Sequence, residues 1–269
     1  MVDILNLLIT LLVDYHIINT VTSLYFHRCI THRSLEFTPI LEHIFRFFGW
    51  VMGWDWPNVN QSYAAQHRKH HMLSDSKQDP HSPYHVGVFG ILDFKHCDPS
   101  RPYYLTPEEQ NHYAPDVKTP DDWVQKKIYD GARIKFNFVL WNNQKYYITF
   151  NLSYLILFTL FWPFVGALSA IFLVFFHHAV LQRYISPFIA NYTLHKYGFN
   201  YVKEHTNEDK SMILFPWAIV GCGEELHANH HSQPWNPKFS HRWFEFDIGW
   251  MYIKILSFFK LLKIRNKNN

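Results

Sequence analysis

The chain has 269 residues, of which 48% are apolar, 19% aromatic and only 17% charged, with a formal net charge of +3. This composition excludes a disordered chain and a coiled coil, and the near balance of charge excludes a dedicated nucleic-acid binder. The three cysteines (Cys29, Cys97 and Cys222) form no CxxC pair, so neither a disulfide framework nor a thiolate zinc site is expected, whereas 19 histidines in so apolar a chain point to metal, proton or haem chemistry.

The mean hydropathy of −0.18 conceals segregation. Ile4 to Phe26 is mostly apolar, interrupted by Asp14, His16 and Asn19. Asp3 stands where a signal peptide has basic residues, and no small-residue cleavage site precedes His27, so the run reads as an uncleaved span over 4–26 with its polar groups turned toward other helices. Glu36 to Tyr63 is too short for two crossings and too charged for one; with Trp50, Trp54 and Trp56 it suits an interfacial segment. Met72 to Lys145 is polar and extramembrane, and within it Thr119-Pro120-Asp121-Asp122 is a helix start, predicting a helix to about Leu140. Tyr146 to Ile185 is the longest apolar run and predicts two spans, 147–163 and 165–185, joined by a tight turn at Trp162–Gly166; one bent core helix of a soluble protein is the alternative. The region after Lys196 is again polar and ends in the basic tail Lys260 to Lys267. The expected architecture is a single domain, 1–269: an all-α membrane bundle of three spans and an interfacial helix, with a helical cap built from 72–145 and 196–269. Three spans put His27, His67, His195 and His227 on one side, and Arg28, Arg33, Arg68, Lys69 and Lys196 mark that side as cytoplasmic.

Three histidine clusters stand out: His27-x4-His32, His67-x2-His70-His71 and His227-x2-His230-His231. On an α-helix, positions i, i+3 and i+4 share a face, so each H-x2-H-H projects imidazoles in one direction. Five residues turn roughly 500°, so H-x4-H fits only where a helix ends and the chain bends. These eight imidazoles exceed what one metal takes, and two closely spaced metals are the natural reading, with iron, copper, zinc and nickel all suited to imidazole. His43, His96, His112, His205 and His241 read as ordinary polar residues; His177 and His178, late in a span, are further functional candidates.

In order, spacing and flanks the clusters resemble those of the membrane-bound fatty acid desaturases, particularly the acyl-CoA Δ9 type and its bacterial relatives. The residues concerned are HRCITHRS from His27, QHRKHH from Gln66 followed by DPHSP from Asp79, and GEELHANHH from Gly223 followed by FEFDIGW from Phe244. The resemblance spans about residues 20 to 257. It implies a ninth ligand, His195, with Asn191 contacting a metal through water. The implied ligand set is His27, His32, His67, His70, His71, His195, His227, His230 and His231, holding two irons. It also implies O2 as co-substrate, an acyl-CoA or other acyl thioester or lipid as substrate, and electrons from a separate ferredoxin-like or cytochrome b5-like donor with its reductase. Two departures are visible. Ala228 replaces an Asn usual in the third box, and the chain begins at what would be the second of four spans, which places the N-terminus outside.

Inserting a double bond means removing hydrogen from an unactivated methylene, which no side-chain acid or base can do; it needs O2 activated at a metal, in a narrow apolar tunnel that excludes water. Metal-bound histidines usually give their other N–H to a carboxylate or carbonyl, so Glu224, Glu225, Asp75 and Asp79 are candidate partners, with an Asp79-Pro80 turn as the alternative for the two aspartates. Arg68 and Lys69 are candidates for an anionic head group. Two other readings remain open: a membrane di-iron hydroxylase or oxygenase, separated by product, and a non-catalytic membrane metal or haem binder.

Overall fold

Asp3 starts the first helix, its carboxylate accepting the Leu5 N–H at 2.9 Å. That helix, α1 (Ile4–Thr31), is α-helical to Val21 and continues as a π-helix from Thr22. A short strand, β1 (Leu35–Phe37), leads to α2 (Pro39–Val51), where Thr38 caps and Pro39 takes the first turn. α3 (Val59–Leu73) follows, then the short α4 (Gly87–Leu92) and α5 (Pro107–Tyr113), whose Thr106 and Glu109 form a capping box. An antiparallel hairpin pairs β2 (Arg133–Leu140) with β3 (Gln144–Asn151) and runs into α6 (Leu152–Val165). Gly166, at φ +76°, breaks the chain between α6 and α7 (Ala167–Lys196); this left-handed backbone is the reason a glycine sits there. The last third holds β4 (Trp217–Ala218), α8 (His227–Ser232), β5 (Phe246–Asp247), α9 (Ile248–Phe258) and β6 (Leu262–Ile264). β6 pairs antiparallel with β1, and β5 pairs parallel with β4. The computed structural model describes residues 3–54, 58–92, 105–129, 133–140, 144–202 and 208–265, and the backbone alone over 133–140 and 144–151.

One core lies where α1, α2, α6 and α7 meet, built on Ile18, Trp50, Val51, Leu157, Phe161 and Leu173. A second, around Leu24, Leu35, Leu41, Cys222 and Ile253, fastens the β1–β6 pair and α9 to the far half of α1. The outer faces of α1 (Leu5, Leu8, Leu12) and α7 (Leu168, Ile171, Phe172, Phe175) are exposed and apolar. Among the described residues α1 and α7 are long and apolar enough to cross a membrane.

The molecule is mostly helical, but several expectations need correction. It is not all-α: three two-stranded sheets are present. The helix expected from Thr119 to Leu140 is only a short turn at Gln125–Tyr129, followed by β2; Ile134, Phe136 and Phe138 alternate with Lys135 and Asn137, the period of a strand. The span expected at 147–163 begins as β3, leaving α6 with 14 residues, short of a crossing on its own. The span expected at 4–26 continues to Thr31, and the one at 165–185 continues to Lys196. The turn at Trp162–Gly166 is found where expected, with the Gly166 N–H donating to the Trp162 carbonyl at 2.9 Å. Trp50 is buried in the core rather than interfacial, and Trp54 stacks on Phe26 at 4.4 Å; Trp56, Cys97, His96, His205 and the end of the basic tail lie outside the described residues.

Candidate metal centre

The nine histidines come together from four stretches of chain and divide into two groups. His27, His32, His67, His71 and His230 form one; His70, His195, His227 and His231 form the other; within each, one ring nitrogen per residue lies within 4.8 Å of all the rest. α3 serves both groups, since His67 and His71 are one α-turn apart while His70 points to the neighbouring group. α8 divides its rings the same way, with His230 in the first group and His227 and His231 in the second.

The H-x4-H box is not at a bend, as its spacing on an α-helix requires. It lies in and just after the π-helical end of α1, where i→i+5 bonding returns the chain to the same face after five residues. The His32 N–H donates to the His27 carbonyl at 3.0 Å, and the Thr31 hydroxyl donates to the Phe26 carbonyl at 2.7 Å.

Hydrogen bonds fix the direction of four rings. The Nδ1–H of His27 donates to Glu224 (2.8 Å), that of His70 to Asp79 (2.8 Å), that of His195 to Asp75 (2.9 Å) and that of His231 to Asp209 (3.0 Å). Each such bond leaves Nε2 as a bare lone pair aimed inward. The Nε2 atoms of His70 and His231 then face each other at 3.3 Å, close enough to ligate one ion. In the first group His230 Nε2 stands 2.9 Å from both His27 Nε2 and His71 Nε2, and a single N–H cannot serve both. The buried Nε2 of His32 has no hydrogen-bond partner among the described residues. This donor set fits a pair of transition-metal ions. Five imidazole nitrogens so close together are arranged around an ion rather than across the faces of a porphyrin.

The electrostatics favour ligation. Burial, then the neighbouring imidazoles, pushes His67, His71, His227 and His230 well below the ordinary histidine range, and His32 follows with Arg68 contributing. Burial pushes His231 down to about 4 despite Asp209. These rings are therefore neutral at pH 7, the form that binds metal. His70 is the exception: burial alone depresses it, but Asp79, with help from Asp75 and Asp209, raises it. Burial works to raise Asp79, Asp75 and Glu224, yet all three end below their ordinary values, held down chiefly by His70, by His195, and by His27 with Arg28.

The flanking motifs supply the scaffold. In DPHSP, Asp79 also accepts the N–H groups of Asp75 and His81, and Ser82 donates to Asp75 at 2.8 Å. In FEFDIGW, Asp247 accepts the Phe239 N–H at 2.8 Å and the Trp250 N–H at 2.9 Å, and pairs with the fully buried Arg28 at 3.3 Å. Gly223, at φ +103°, is where that guanidinium passes: a Cβ there would lie 2.5 Å from Arg28 Nη2. Glu245 accepts from Asn229, itself between the third-box histidines, at 2.9 Å.

Not every expected partner lies where the sequence suggested. Glu224, Asp75 and Asp79 hold rings, but Glu225 accepts the Gly221 N–H at 2.6 Å and holds none. Asp209 was not foreseen; it lies far from any box, and only its proximity to His231 in space reveals it. Asn191 lines the cavity, four residues before His195 on α7. Arg68 and Lys69 do not reach that cavity; Asp116 engages Arg68 at 2.5 Å and Glu109 engages Lys69 at 3.0 Å. His177, buried between α1 and α7, donates from Nδ1 to Asp14 at 2.8 Å.

The cavity, of about 870 Å³, is lined by His27 and His67 of the first group, His70 and His227 of the second, and Tyr15, Ile18, Trp54, Tyr63, Leu194 and Phe215 among others. It is of the size and apolar character that accepts a long small molecule.

With this geometry in hand, the chain compares with known proteins as follows. It is 29% identical to the sn-1 stearoyl-lipid 9-desaturase of Synechocystis sp. over 243 residues. It is 26% identical to the sn-1 stearoyl-lipid 9-desaturase of Anabaena variabilis over 239 residues, and 26% identical to an acyl-CoA 5-desaturase of Anemone leveillei over 244. Along most of its length the chain is similar to fatty acid desaturases. The matches cover 88%, 86% and 89% of this chain but 64%, 73% and 65% of those relatives, so the chain spans about two thirds of their length. No family model matches.

Proposed function

We propose that the protein is a membrane-bound, O2-dependent acyl desaturase that inserts a cis double bond into a saturated acyl chain, at Δ9, using two histidine-held irons. The observation that carries this reading is the pair of adjoining imidazole groups opening on one apolar cavity. Its support from relatives is that two act, by name, on stearoyl lipid at position 9 and one on acyl-CoA at position 5.

In this reading His27, His32, His67, His71 and His230 hold one iron, and His70, His195, His227 and His231 hold the other, with Asn191 contacting the second through water. The two irons supply the O2 activation and hydrogen removal that side chains cannot perform. The rest falls to the chain's own residues. Glu224, Asp79, Asp75 and Asp209 aim four rings and keep each in the Nε2 lone-pair form. The buried setting keeps the remaining rings neutral. The cavity wall between α1, α3 and α7 holds two adjacent carbons of the acyl chain against the centre and keeps bulk water out. α1 and α7 anchor the chain in the bilayer, each extending past its apolar part to present His27 and His195 on the cytoplasmic side. Electrons come from a separate donor, ferredoxin-like or cytochrome b5-like, with its reductase.

The test is expression in a host that lacks its own desaturase, followed by gas chromatography of total fatty acids. A new monounsaturated species is expected, lost in His67→Ala and in His230→Ala. A hydroxylated fatty acid in its place would make the protein a hydroxylase, and full product from either variant would remove that residue from the ligand set.

A further inference from the structure

The way into the cavity bears on which carrier brings the acyl chain. One lip is the segment Phe215–Val220: Phe215, Trp217 and Val220 line the cavity while remaining 58%, 67% and 42% exposed. The opposite lip is the face of α7 that carries Arg183 and Ala190, both exposed and both on the cavity wall. Large apolar side chains left open at the rim of a cavity, as on the Phe215–Val220 side, are unusual for a water-facing mouth.

Two observations put these lips beside the apolar parts of α1 and α7. His16, within the apolar part of α1, donates from Nδ1 to the Val220 carbonyl at 3.3 Å and accepts at Nε2 from the Tyr252 hydroxyl at 2.9 Å. The Phe215–Val220 segment is thus tied to the half of α1 that precedes its π-helical end. On α7, about 20 residues make a crossing, and counted from Ala167 they end near Pro187, so Arg183 and Ala190 straddle the boundary. Arginine and tyrosine, here Arg183 and Tyr184, are the side chains that reach from such a depth to the phosphate layer. Arg68 and Lys69, by contrast, are engaged by Asp116 and Glu109 and lie off the cavity wall.

We propose that the acyl chain enters sideways from the bilayer while still esterified in a membrane phospholipid, between the Phe215–Val220 lip and the Arg183–Ala190 face of α7, with Arg183 holding the phosphate. A thioester on a charged, water-soluble carrier would have to bring that carrier to an aromatic lip set in lipid. The inference rests on the acyl-desaturase reading for the identity of the chain that enters.

The experiment uses the full chain in nanodiscs and two probes with the same diazirine-bearing stearoyl chain, one a phosphatidylcholine and the other a CoA thioester. After irradiation, peptide mass spectrometry locates the label. The lipid probe is expected to label cavity residues; Ala190→Trp, Arg183→Gln and Trp217→Glu are each expected to lower that labelling at least fivefold, with unchanged bound iron showing that each variant is folded. Cavity labelling by the thioester in preference to the lipid overturns the proposal, as does lipid label confined to the outer faces of α1 and α7. Product analysis of the iron-loaded, reduced protein separates the two levels. Lipid that labels the cavity but gains no double bond sinks the desaturase reading and leaves the portal standing. Thioester chains desaturated while lipid chains are not sink the portal and leave the desaturase reading.

Discussion

Asp209 and His231, 22 residues apart, are joined by a 3.0 Å hydrogen bond from the ring Nδ1 to the carboxylate. Asp209 also accepts the Ser211 N–H at 2.9 Å, so the carboxylate is held by its own loop before it holds the ring. Removing such a partner typically lowers metal affinity 10- to 100-fold. Asp209→Ala is therefore expected to retain iron in the His27 group and to lose it preferentially from the His231 group during dialysis, read as about half the wild-type iron per chain. Wild-type iron retention in Asp209→Ala would show that the bond has no bearing on the centre.

Metal removal should loosen the whole molecule, because the two imidazole groups join α1, α3, α7 and α8. A ligand at 100 times its dissociation constant contributes about 2.7 kcal/mol to the folded state. Chelation in detergent is expected to lower the thermal midpoint by several degrees, and ferrous iron to restore it. An unchanged midpoint would mean that these rings do not bind metal in the folded chain.

The metal-free protein should also lose stability as pH falls through the histidine range. The unfolded His231 takes up a proton near the ordinary histidine value of 6.5, whereas burial holds the folded one down to about 4. Between those values the unfolded state binds more protons, so folding weakens as pH drops from about 6.5 toward 4. His32, His67, His71, His227 and His230 act in the same direction, while His70, raised by Asp79, opposes them. Urea midpoints of chelated protein at pH 7 and pH 5 check this; equal midpoints would contradict the buried, neutral state of these rings.

Asp14 and His177 form a closed pair inside the apolar region, with side chains 3% and 0% exposed. Leaving one member alone there is worse than losing both. Asp14→Ala should cost about 1–3 kcal/mol, and the double change Asp14→Leu with His177→Leu should cost less than either single change. Additive losses, measured by thermal unfolding in detergent, would count against coupling between α1 and α7 at this point.

Much of the centre was legible because the H-x2-H-H spacing is an α-helical signature and both copies sit on helices. The shared use of α3 and α8 by two groups was not, since the side-by-side placement of His70 and His71 depends on how the helices cross rather than on either sequence. H-x4-H misled because an α-helix was assumed; the spacing itself was the sign of a wider turn. The β2–β3 hairpin is masked by a competing local signal: Thr119-Pro120 is a good helix start, and the alternation that marks the strand begins only at Arg133. Asp209 and the Asp14–His177 pair are long-range contacts between residues with no local pattern, and they become visible only in three dimensions.

The broad turns at the end of α1 amount to a stored insertion. Cys29 lies between His27 and His32, half-buried and outside both imidazole groups, so deleting it would leave three intervening residues, the natural repeat of an ordinary helix. The shortened segment could then wind tightly and keep its backbone bonds, but everything beyond it would be rotated by about 100°, carrying β1 and its partner β6 out of register with the rest. One residue too many, kept in place, is what lets a long apolar rod end in a claw.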